Sequence, residues 1–263
     1  SELEKERVCS GGLKGKNENE RLDTYYAETK DDRKNKERET KKAINLHKYI
    51  NDWIGAFDKD NALKVISGGP GCGKSSFSKM LVAEVAEKQE ISVIFIPLHH
   101  FDPSKDLIQA VEEFIKYDEY LTVNPLEPKT GKTKLLIVFD GLDELSMQGQ
   151  AASDVAQAFV NEVITSLDRF NSNGHLERQA IITGRDLSVQ ANKQRLRKSQ
   201  QILHMLPYFL EQGEREKYED SNDKLSKDLR DIWWEKFGKA SGKDYHAIPE
   251  ALKKNNLTVF FIL

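Results

Sequence analysis

A chain of 263 residues is long enough for one α/β domain with a smaller appendage, and 32% charged residues with a mean hydropathy of -0.64 indicate a heavily solvated surface. The net charge of -3 argues against a protein that coats nucleic acid or a membrane surface. No run approaches the roughly 18 apolar residues that span a bilayer, and no signal peptide is visible, so we expect a cytoplasmic protein without a membrane partner.

The two cysteines and the chain ends add further limits. Cys9 and Cys72 are too few for a disulfide framework or a CxxC zinc site, and a reducing compartment fits them. The chain begins at Ser1 without a methionine and ends in the apolar run 259–263. We therefore expect this sequence to be a piece of a longer protein.

Residues 1–42 mix acidic and basic side chains in nearly equal numbers and contain few apolar residues. This composition predicts a solvated helix or a disordered lead-in, with a DNA-binding arm as the alternative. The pattern changes at Leu46, where apolar residues begin to recur at a helical spacing. They are Leu46, Ile50, Trp53 and Phe57, and they predict an amphipathic helix that packs on the following domain.

The next segment carries the most specific motif of the chain. Residues 63–67 include β-branched side chains and predict a buried strand, and the nine residues that follow read GGPGCGKSS. They fit the phosphate-loop pattern G-x-x-x-x-G-K-[ST] at every fixed position. Phe77, Leu81 and Val85 follow at a spacing that predicts a helix. Strand, glycine-rich loop and helix in this order are the context in which the motif binds a nucleoside triphosphate.

In this motif the backbone N–H groups cradle phosphates, the lysine reaches the β and γ oxygens, and the serine hydroxyl holds Mg²⁺. Lys74 and Ser75 occupy those positions. Cys72 takes a free position near a helix N-terminus that could lower its thiol pKa, so redox sensing stays open as an alternative. The residues predicted to bind the nucleotide are Gly68, Gly69, Pro70, Gly71, Cys72, Gly73, Lys74, Ser75 and Ser76.

A second buried strand is predicted at 91–96, and it leads to the pair His99 and His100. Adjacent histidines on an extended segment point to opposite faces, so they are not expected to share a metal ion. We expect loop histidines near the site instead. Asp102 then predicts the N-cap of a helix that has Pro103 at its first position.

The apolar run that begins at Leu135 predicts a third strand, and this strand ends in Asp140. Ligands of an α/β sheet lie at the carboxyl ends of its strands, so Asp140 is predicted to hold Mg²⁺ together with Ser75. Asp143 and Glu144 add two carboxylates at the same corner, and at least one is free to orient or deprotonate the water that attacks the γ-phosphate. The alternatives are an N-cap role for Asp140 and solvated loop acids.

A further strand is predicted at 179–183, and it ends in Gly184, Arg185 and Asp186. Arg185 thus reaches the same edge of the sheet, where it could contact the γ-phosphate or stabilise developing charge. A surface ion pair with Asp186 is the alternative. The remaining predicted elements are a helix at 152–170, a strand at 202–206 and a small helical lid at 211–263.

Three motifs therefore stand in order along the chain: GGPGCGKSS, LLIVFDGLDEL and AIITGRD. The second closely resembles the extended Walker B of the NACHT family of STAND NTPases, an apolar strand followed by D-G-hydrophobic-D-E. The third resembles that family's sensor 1, usually T-[ST]-R, with Gly184 in place of the common Ser or Thr. The resemblance is strong over about residues 60–210 and suggests a bacterial NACHT protein.

This resemblance implies an α/β fold: a P-loop NTPase three-layer sandwich with a parallel five-stranded sheet in the order 5-1-4-3-2, an N-terminal helix and a small C-terminal helical subdomain. It divides the chain into a charged lead-in at 1–42, the NACHT NTPase domain at 43–210 and the start of a helical lid at 211–263. Carried over by matching position, Lys74 binds phosphate, Ser75 and Asp140 serve Mg²⁺, Asp143 and Glu144 form the acidic pair, and Arg185 is the sensor.

Members of the family are ATP-driven switches that are closed with ADP and assemble into oligomers with ATP, typically in immunity or stress signalling. The resemblance therefore implies a slow ATPase switch with ATP or ADP and Mg²⁺ as cofactors, and a homo-oligomer on activation. Two other interpretations stay open. One is an AAA+-like nucleic-acid-associated ATPase, which the net charge of -3 supports little, and the other is a non-hydrolysing scaffold that binds nucleotide for folding alone.

Overall fold

The fold is built around a single mixed β-sheet. The computed structural model describes residues 25–29, 40–118, 121, 123–127, 133–145, 152–172, 174–198 and 200–254. Within these residues the strands are β1 Tyr25–Thr29, β2 Thr40–Ile44, β3 Leu63–Ser67, β4 Ser92–Pro97, β5 Lys134–Asp140, β6 Glu177–Gly184, β7 Ile202–Met205 and β8 Tyr218–Glu219.

The helices among the described residues are α1 Leu46–Gly55, α2 Lys74–Lys88, α3 Leu107–Asp118, α4 Ala152–Asn171, α5 Asp186–Gln190, α6 Gln212–Arg215, α7 Leu229–Ala240 and α8 Glu250–Lys254. Two short 3₁₀ helices lie at Lys59–Asn61 and Leu98–His100. None of the helices described is both long enough and apolar enough to cross a membrane.

The strand order is β4-β5-β6-β3-β7-β1-β2-β8, and the first five of these strands are parallel. Counted along the chain, those five have the order 5-1-4-3-2, so the predicted P-loop NTPase sheet is confirmed. The strand that ends at Gly184 lies between the strand of the phosphate loop and the strand of Asp140. Connections through helices on both faces produce this parallel arrangement.

The prediction for the lead-in was wrong where the structure describes it. Residues 25–29 and 40–44 form strands, not a solvated helix, while 1–24 and 30–39 lie outside the described residues. β1 pairs antiparallel with both β7 and β2, and β8 adds a parallel pair beyond β2. An open edge of β7 would leave backbone donors and acceptors unpaired, and this pairing satisfies them, a long-range gain that charge pattern alone does not reveal.

Apolar helix faces cover both sides of the parallel strands. On one side the buried residues of α1 and α2 pack on β3, β5 and β6. On the other side α3 and α4 bury their apolar residues against the opposite face of the same strands. The predicted stripes are confirmed, except that Phe57 lies beyond the end of α1 and is half-buried. The site-bearing strands thus have both faces in the core, and only their ends reach solvent.

The helix α3 begins one turn later than predicted. Asp106 is the residue whose Oδ1 accepts the N–H groups of Ile108 at 3.0 Å and Gln109 at 3.2 Å. Asp102 instead accepts the N–H of Ser104 at 3.0 Å in the preceding turn. Both aspartates suit the N-terminus of a helix, and the packing of Leu107, which is buried, selects the later one.

A lysine is fully buried in the middle of the sheet. Lys64 of β3 donates through Nζ to the Tyr49 Oη at 3.2 Å, the Asn61 Oδ1 at 3.0 Å and the Gln200 carbonyl oxygen at 2.9 Å. All three protons of the ammonium group therefore have acceptors. Burial lowers the pKa of Lys64 from 10.5 to about 8 and raises the pKa of Tyr49 to about 12. This cluster joins α1 and the segment before β7 to the strand that enters the phosphate loop.

We expect the stability of the protein to rise with pH between 8 and 10 because of Lys64. In that window Lys64 loses its proton in the folded state, whereas the unfolded state keeps it up to about 10.5, so the unfolded state binds more protons. For the wild type, the slope of the unfolding free energy against pH should be larger than the slope for Lys64→Met, by up to about 1.4 kcal/mol per pH unit. Denaturant titrations at several pH values measure this.

The exposed Lys59 provides a matched control, because Lys59→Met removes the same charge without removing a buried group. Its slope should equal that of the wild type. Equal slopes for the wild type and Lys64→Met would contradict the prediction, since they would mean that Lys64 keeps its proton in the folded state.

Candidate nucleotide-binding site

The predicted site residues meet at the carboxyl edge of the parallel strands. Ser67 at the end of β3 lies opposite Gly184 of β6, and Pro97 of β4 lies opposite Asp140 of β5. The loops that follow these strands therefore start side by side. The structure places the phosphate loop, Asp140 at the end of β5, the two acids after it and Arg185 at this one edge.

The phosphate loop passes directly into α2. Gly73 has a φ of +91°, a backbone conformation that suits glycine, and it stands before a helix that begins at Lys74. No side chain caps this N-terminus, and the N–H of Phe77 is the first to bond within the helix, to the Gly73 carbonyl oxygen at 2.8 Å. The N–H groups of the first turn are thus without a side-chain acceptor and favour an anion.

The loop is closed around its own lysine. Lys74 Nζ donates to the carbonyl oxygens of Gly68 at 2.8 Å and Gly69 at 2.9 Å. The carbonyl groups of the phosphate loop therefore hold the Lys74 ammonium group inside the loop. Ser75 and Ser76 are exposed at the start of α2, so their hydroxyl groups are accessible.

Cys72 is half-buried against the end of β7. Its Sγ lies 3.6 Å from the Met205 Sδ and 3.7 Å from the Lys74 Nζ. Burial raises the pKa of the thiol above its usual value, although the charge of Lys74 acts in the opposite direction. Because the thiolate is the reactive form, this environment argues against the redox-sensing alternative and favours a packing role.

Asp140 is buried and oriented by β6. Its Oδ1 accepts the hydroxyl of Thr183 at 2.6 Å, and the same hydroxyl accepts the N–H of Gly141 at 3.1 Å. Its Oδ2 accepts no hydrogen bond from any described residue. One carboxylate oxygen is thus available, and hard oxygen donors such as this one and the exposed Ser75 hydroxyl suit Mg²⁺, which keeps several waters and needs few protein ligands.

Arg185 contacts Asp143 twice. Its Nε lies 2.7 Å from the Asp143 Oδ2, and its backbone N–H donates to Oδ1 at 3.2 Å. The ion pair predicted as the alternative, with Asp186, is therefore wrong. Asp186 accepts the hydroxyl of the buried Ser67 instead, and the His204 Nδ1 lies 3.9 Å from the same oxygen.

Glu144 turns back over Gly141. Gly141 has a φ of +93°, and a Cβ on it would lie 2.7 Å from the Glu144 Cδ, so glycine is required for this approach. The Glu144 Oε2 lies 3.0 Å from the His99 Nδ1. Its Oε1 accepts no hydrogen bond from the described residues. Of the two acids, Asp143 has both oxygens occupied by Arg185, and Glu144 has one oxygen without a hydrogen bond from the described residues.

Three contributors to this arrangement did not emerge from the sequence. Thr183 belongs to a predicted strand, yet its hydroxyl orients Asp140. Ser67 ends a predicted strand, and its hydroxyl donates a hydrogen bond to Asp186. His99 was expected only as a nearby loop residue. Each is a polar side chain at the carboxyl end of a predicted strand, and that position is the signal that identifies such residues.

Gly184 stands where the resembling family commonly has Ser or Thr. A Cβ at this position would lie 3.0 Å from the Cβ of Leu142, and the backbone N–H of Leu142 donates to the Thr183 carbonyl oxygen at 2.8 Å. The buried side chain of Leu142 thus occupies the space that a larger residue would need. This close packing fixes the loop after β5 on the end of β6.

Comparisons with known proteins give one informative match. No curated protein matches the sequence. Among solved structures, the chain resembles the E. coli MS115-1 HORMA:CdnC:Trip13 complex, with 20% identity and a TM-score of 0.35 over 59% of this chain and 50% of that chain. It also resembles C. elegans PCH-2, with 15% identity and a TM-score of 0.34 over 61% of this chain and 41% of that chain.

The chain thus spans half or less of each of these two solved chains, and likenesses of this size do not bear on function. The family model for the NACHT domain matches residues 63–218, more than half of the chain and all of the strands that carry the site. With the sheet order and the phosphate loop described above, this match means that the chain belongs to the NACHT family of P-loop NTPases.

Proposed function

We propose that this nucleotide-binding NTPase module is an ATP-binding and slowly ATP-hydrolysing switch of a signalling or defence protein, in which nucleotide state controls homo-oligomerisation. The observation that carries the proposal is the set of partners at the strand ends. Asp140 contacts Thr183, Asp143 contacts Arg185, and Glu144 contacts His99. Each acid has one defined partner, and the partners come from the end of β6 and from the turn after β4. A cytoplasmic location fits this role, since ATP is available there.

The phosphate loop accounts for binding. Lys74 exchanges the Gly68 and Gly69 carbonyl oxygens for phosphate oxygens, and the N–H groups at the start of α2 face the same anion. Ser75 and Asp140 would hold Mg²⁺ through a hydroxyl and a carboxylate oxygen. Bound Mg-ATP supplies the electrophilic γ-phosphorus and a metal charge that offsets the charge of the leaving diphosphate.

Glu144 and Arg185 have different roles in hydrolysis. Glu144 accepts a hydrogen bond from the attacking water with its Oε1 and takes the proton as the water attacks. Arg185 stabilises the charge that develops on the transferred group, but first its guanidinium has to leave Asp143, 2.7 Å away. This exchange of partners is our reason for expecting slow turnover.

The same exchange provides a switch. Arg185 lies between β6 and the short helix α5, whose first residue, Asp186, is bonded to Ser67 next to the phosphate loop. When Arg185 moves from Asp143 toward the nucleotide, it therefore moves a segment that contacts the loop after β5 on one side and the end of β3 on the other. We infer that this movement is how nucleotide state reaches the surfaces used in oligomerisation.

Lys74→Ala should weaken the binding of Mg-ATP at least about tenfold, because a charge-assisted hydrogen bond contributes about 1.5–3 kcal/mol. Isothermal titration calorimetry measures the change. Lys79→Ala is a matched control, since Lys79 lies exposed on the same helix α2 and is expected to leave affinity unchanged. Equal affinities of the wild type and Lys74→Ala would refute the assignment of the nucleotide site.

Glu144→Gln should retain Mg-ATP binding and lower the turnover number about 10²–10⁴-fold, since the amide cannot take a proton from water. Phosphate release under saturating ATP measures this, with calorimetry as the check on binding. If turnover is unchanged, Glu144 is not the base. If the wild type itself releases no phosphate, the module is a scaffold, and strong stimulation of turnover by DNA would instead favour a nucleic-acid ATPase.

Asp143→Asn and Arg185→Ala should change turnover in opposite directions. The neutral Asn releases the guanidinium of Arg185 and raises turnover, whereas Arg185→Ala removes the group that stabilises the transition state and lowers it. We expect changes of about tenfold, as for a single electrostatic contact of about 1.4 kcal/mol. Steady-state phosphate release compares the two variants. A similar loss in both would mean that the pair has a structural role and does not restrain Arg185.

A further inference from the structure

His99 is held in a defined place although its ring is half exposed. It is the middle residue of the 3₁₀ turn Leu98–His100, which directly follows β4. Leu98 and Phe101 on either side of the histidine pair are buried, and the Phe101 N–H donates to the Leu98 carbonyl oxygen at 3.2 Å. Two core anchors and one backbone bond therefore fix the backbone that carries His99.

The strand register aims this turn at the acids after β5. Pro97 of β4 lies opposite Asp140 of β5, so the residues that follow each strand leave the sheet next to one another. Across this junction the His99 Nδ1 lies 3.0 Å from the Glu144 Oε2. A carboxylate only accepts hydrogen bonds, so Nδ1 carries the shared proton.

Glu144 is restrained from two directions. Its N–H donates to the Gly141 carbonyl oxygen at 2.8 Å, and its carboxyl group lies over the Cα of Gly141, where a Cβ would come within 2.7 Å of the Glu144 Cδ. Against that backbone, His99 binds Oε2 and leaves Oε1 without a partner among the described residues. The two contacts together select one orientation of the carboxylate.

We propose that His99 is a positioning residue for hydrolysis: it holds the Glu144 carboxylate so that Oε1 faces the attacking water. This inference rests on the proposed role of Glu144 as the base. Without His99, a glutamate side chain with 42% exposure samples several rotamers. In each of the other rotamers the carboxylate points away from the attacking water. His99 acts on the orientation of Glu144 and not on the nucleotide, so it affects turnover and leaves affinity unchanged.

The neighbouring histidine offers an internal comparison. The ring of His100 lies against that of His99, with centroids 3.9 Å apart, and 5.8 Å from that of Tyr117. Among the described residues it forms no hydrogen bond with Glu144. A substitution of His100 therefore alters the same turn and the same aromatic contact without removing the bond to the carboxylate.

The test compares His99→Asn, His99→Leu and His100→Leu by turnover number and by calorimetric affinity for Mg-ATP. Asn places an N–H donor close to the position of the His Nδ1, and Leu has the same shape without a donor. His99→Leu should lower turnover about fivefold, which corresponds to about 1 kcal/mol of activation free energy, with unchanged affinity. His99→Asn and His100→Leu should keep turnover close to that of the wild type.

Turnover in His99→Leu that equals or exceeds that of the wild type would overturn the inference. So would equal losses in His99→Leu and His99→Asn, or a loss of affinity that accompanies the loss of turnover. Because Asn and Leu have nearly the same shape and the position is half-exposed, an effect of losing the imidazole on folding is common to the two variants and cancels between them. Glu144→Gln separates this inference from the proposed function: if it abolishes turnover while His99→Leu does not, only the role of His99 fails.

Discussion

The hydrogen bond from the Thr183 hydroxyl to Asp140 is the contact on which the site depends. It exists because β6 lies between β3 and β5, so the strand that carries Thr183 and leads into Arg185 borders both the phosphate loop and the acids. The Gly68 N–H donates to the Gly184 carbonyl oxygen at 3.3 Å on one side, and the Leu142 N–H donates to the Thr183 carbonyl oxygen on the other. β6 therefore sets the distance between the phosphate loop and the loop after β5. A shift of the carboxyl end of β6 would move both loops.

Three carboxylates within five residues repel one another unless each has a partner. The structure assigns a different kind of group to each: a neutral hydroxyl to Asp140, a guanidinium to Asp143 and an imidazole to Glu144. These partners lie at or just beyond the ends of β6 and β4, the two strands that flank β5. The acids are consequently distinguished by their neighbours, although their sequence positions are almost equivalent. This difference is the basis of our proposal that Asp140 holds the metal ion, Asp143 restrains Arg185 and Glu144 orients the attacking water.

Two features away from the site support the strand that enters the phosphate loop: the buried Lys64 near the start of β3, and the strands beyond β7. Lys64 donates three hydrogen bonds, which link β3 to α1 and to the segment before β7. These bonds offset the cost of burying its ammonium group. β1, β2 and β8 continue the sheet beyond β7, which covers an edge that would otherwise be open. The strand that enters the phosphate loop is thereby held at its start as well as at its end.

The sequence by itself determined the elements whose signals are local. The phosphate-loop motif, the apolar strands and the 3.6-residue stripes are of this kind, because short-range periodicity and backbone requirements decide them. From the resemblance of its ordered motifs to the NACHT family, the sequence also implied the strand order 5-1-4-3-2. It also placed the polar residues at one edge, since parallel strands end together. The tertiary structure decided what depends on separations across the chain: the strands at 25–29 and 40–44, the burial of Lys64, and which partner each acid takes. Glu144 and His99 stand 45 residues apart, and their contact arises from the register of β4 on β5, which no local pattern encodes.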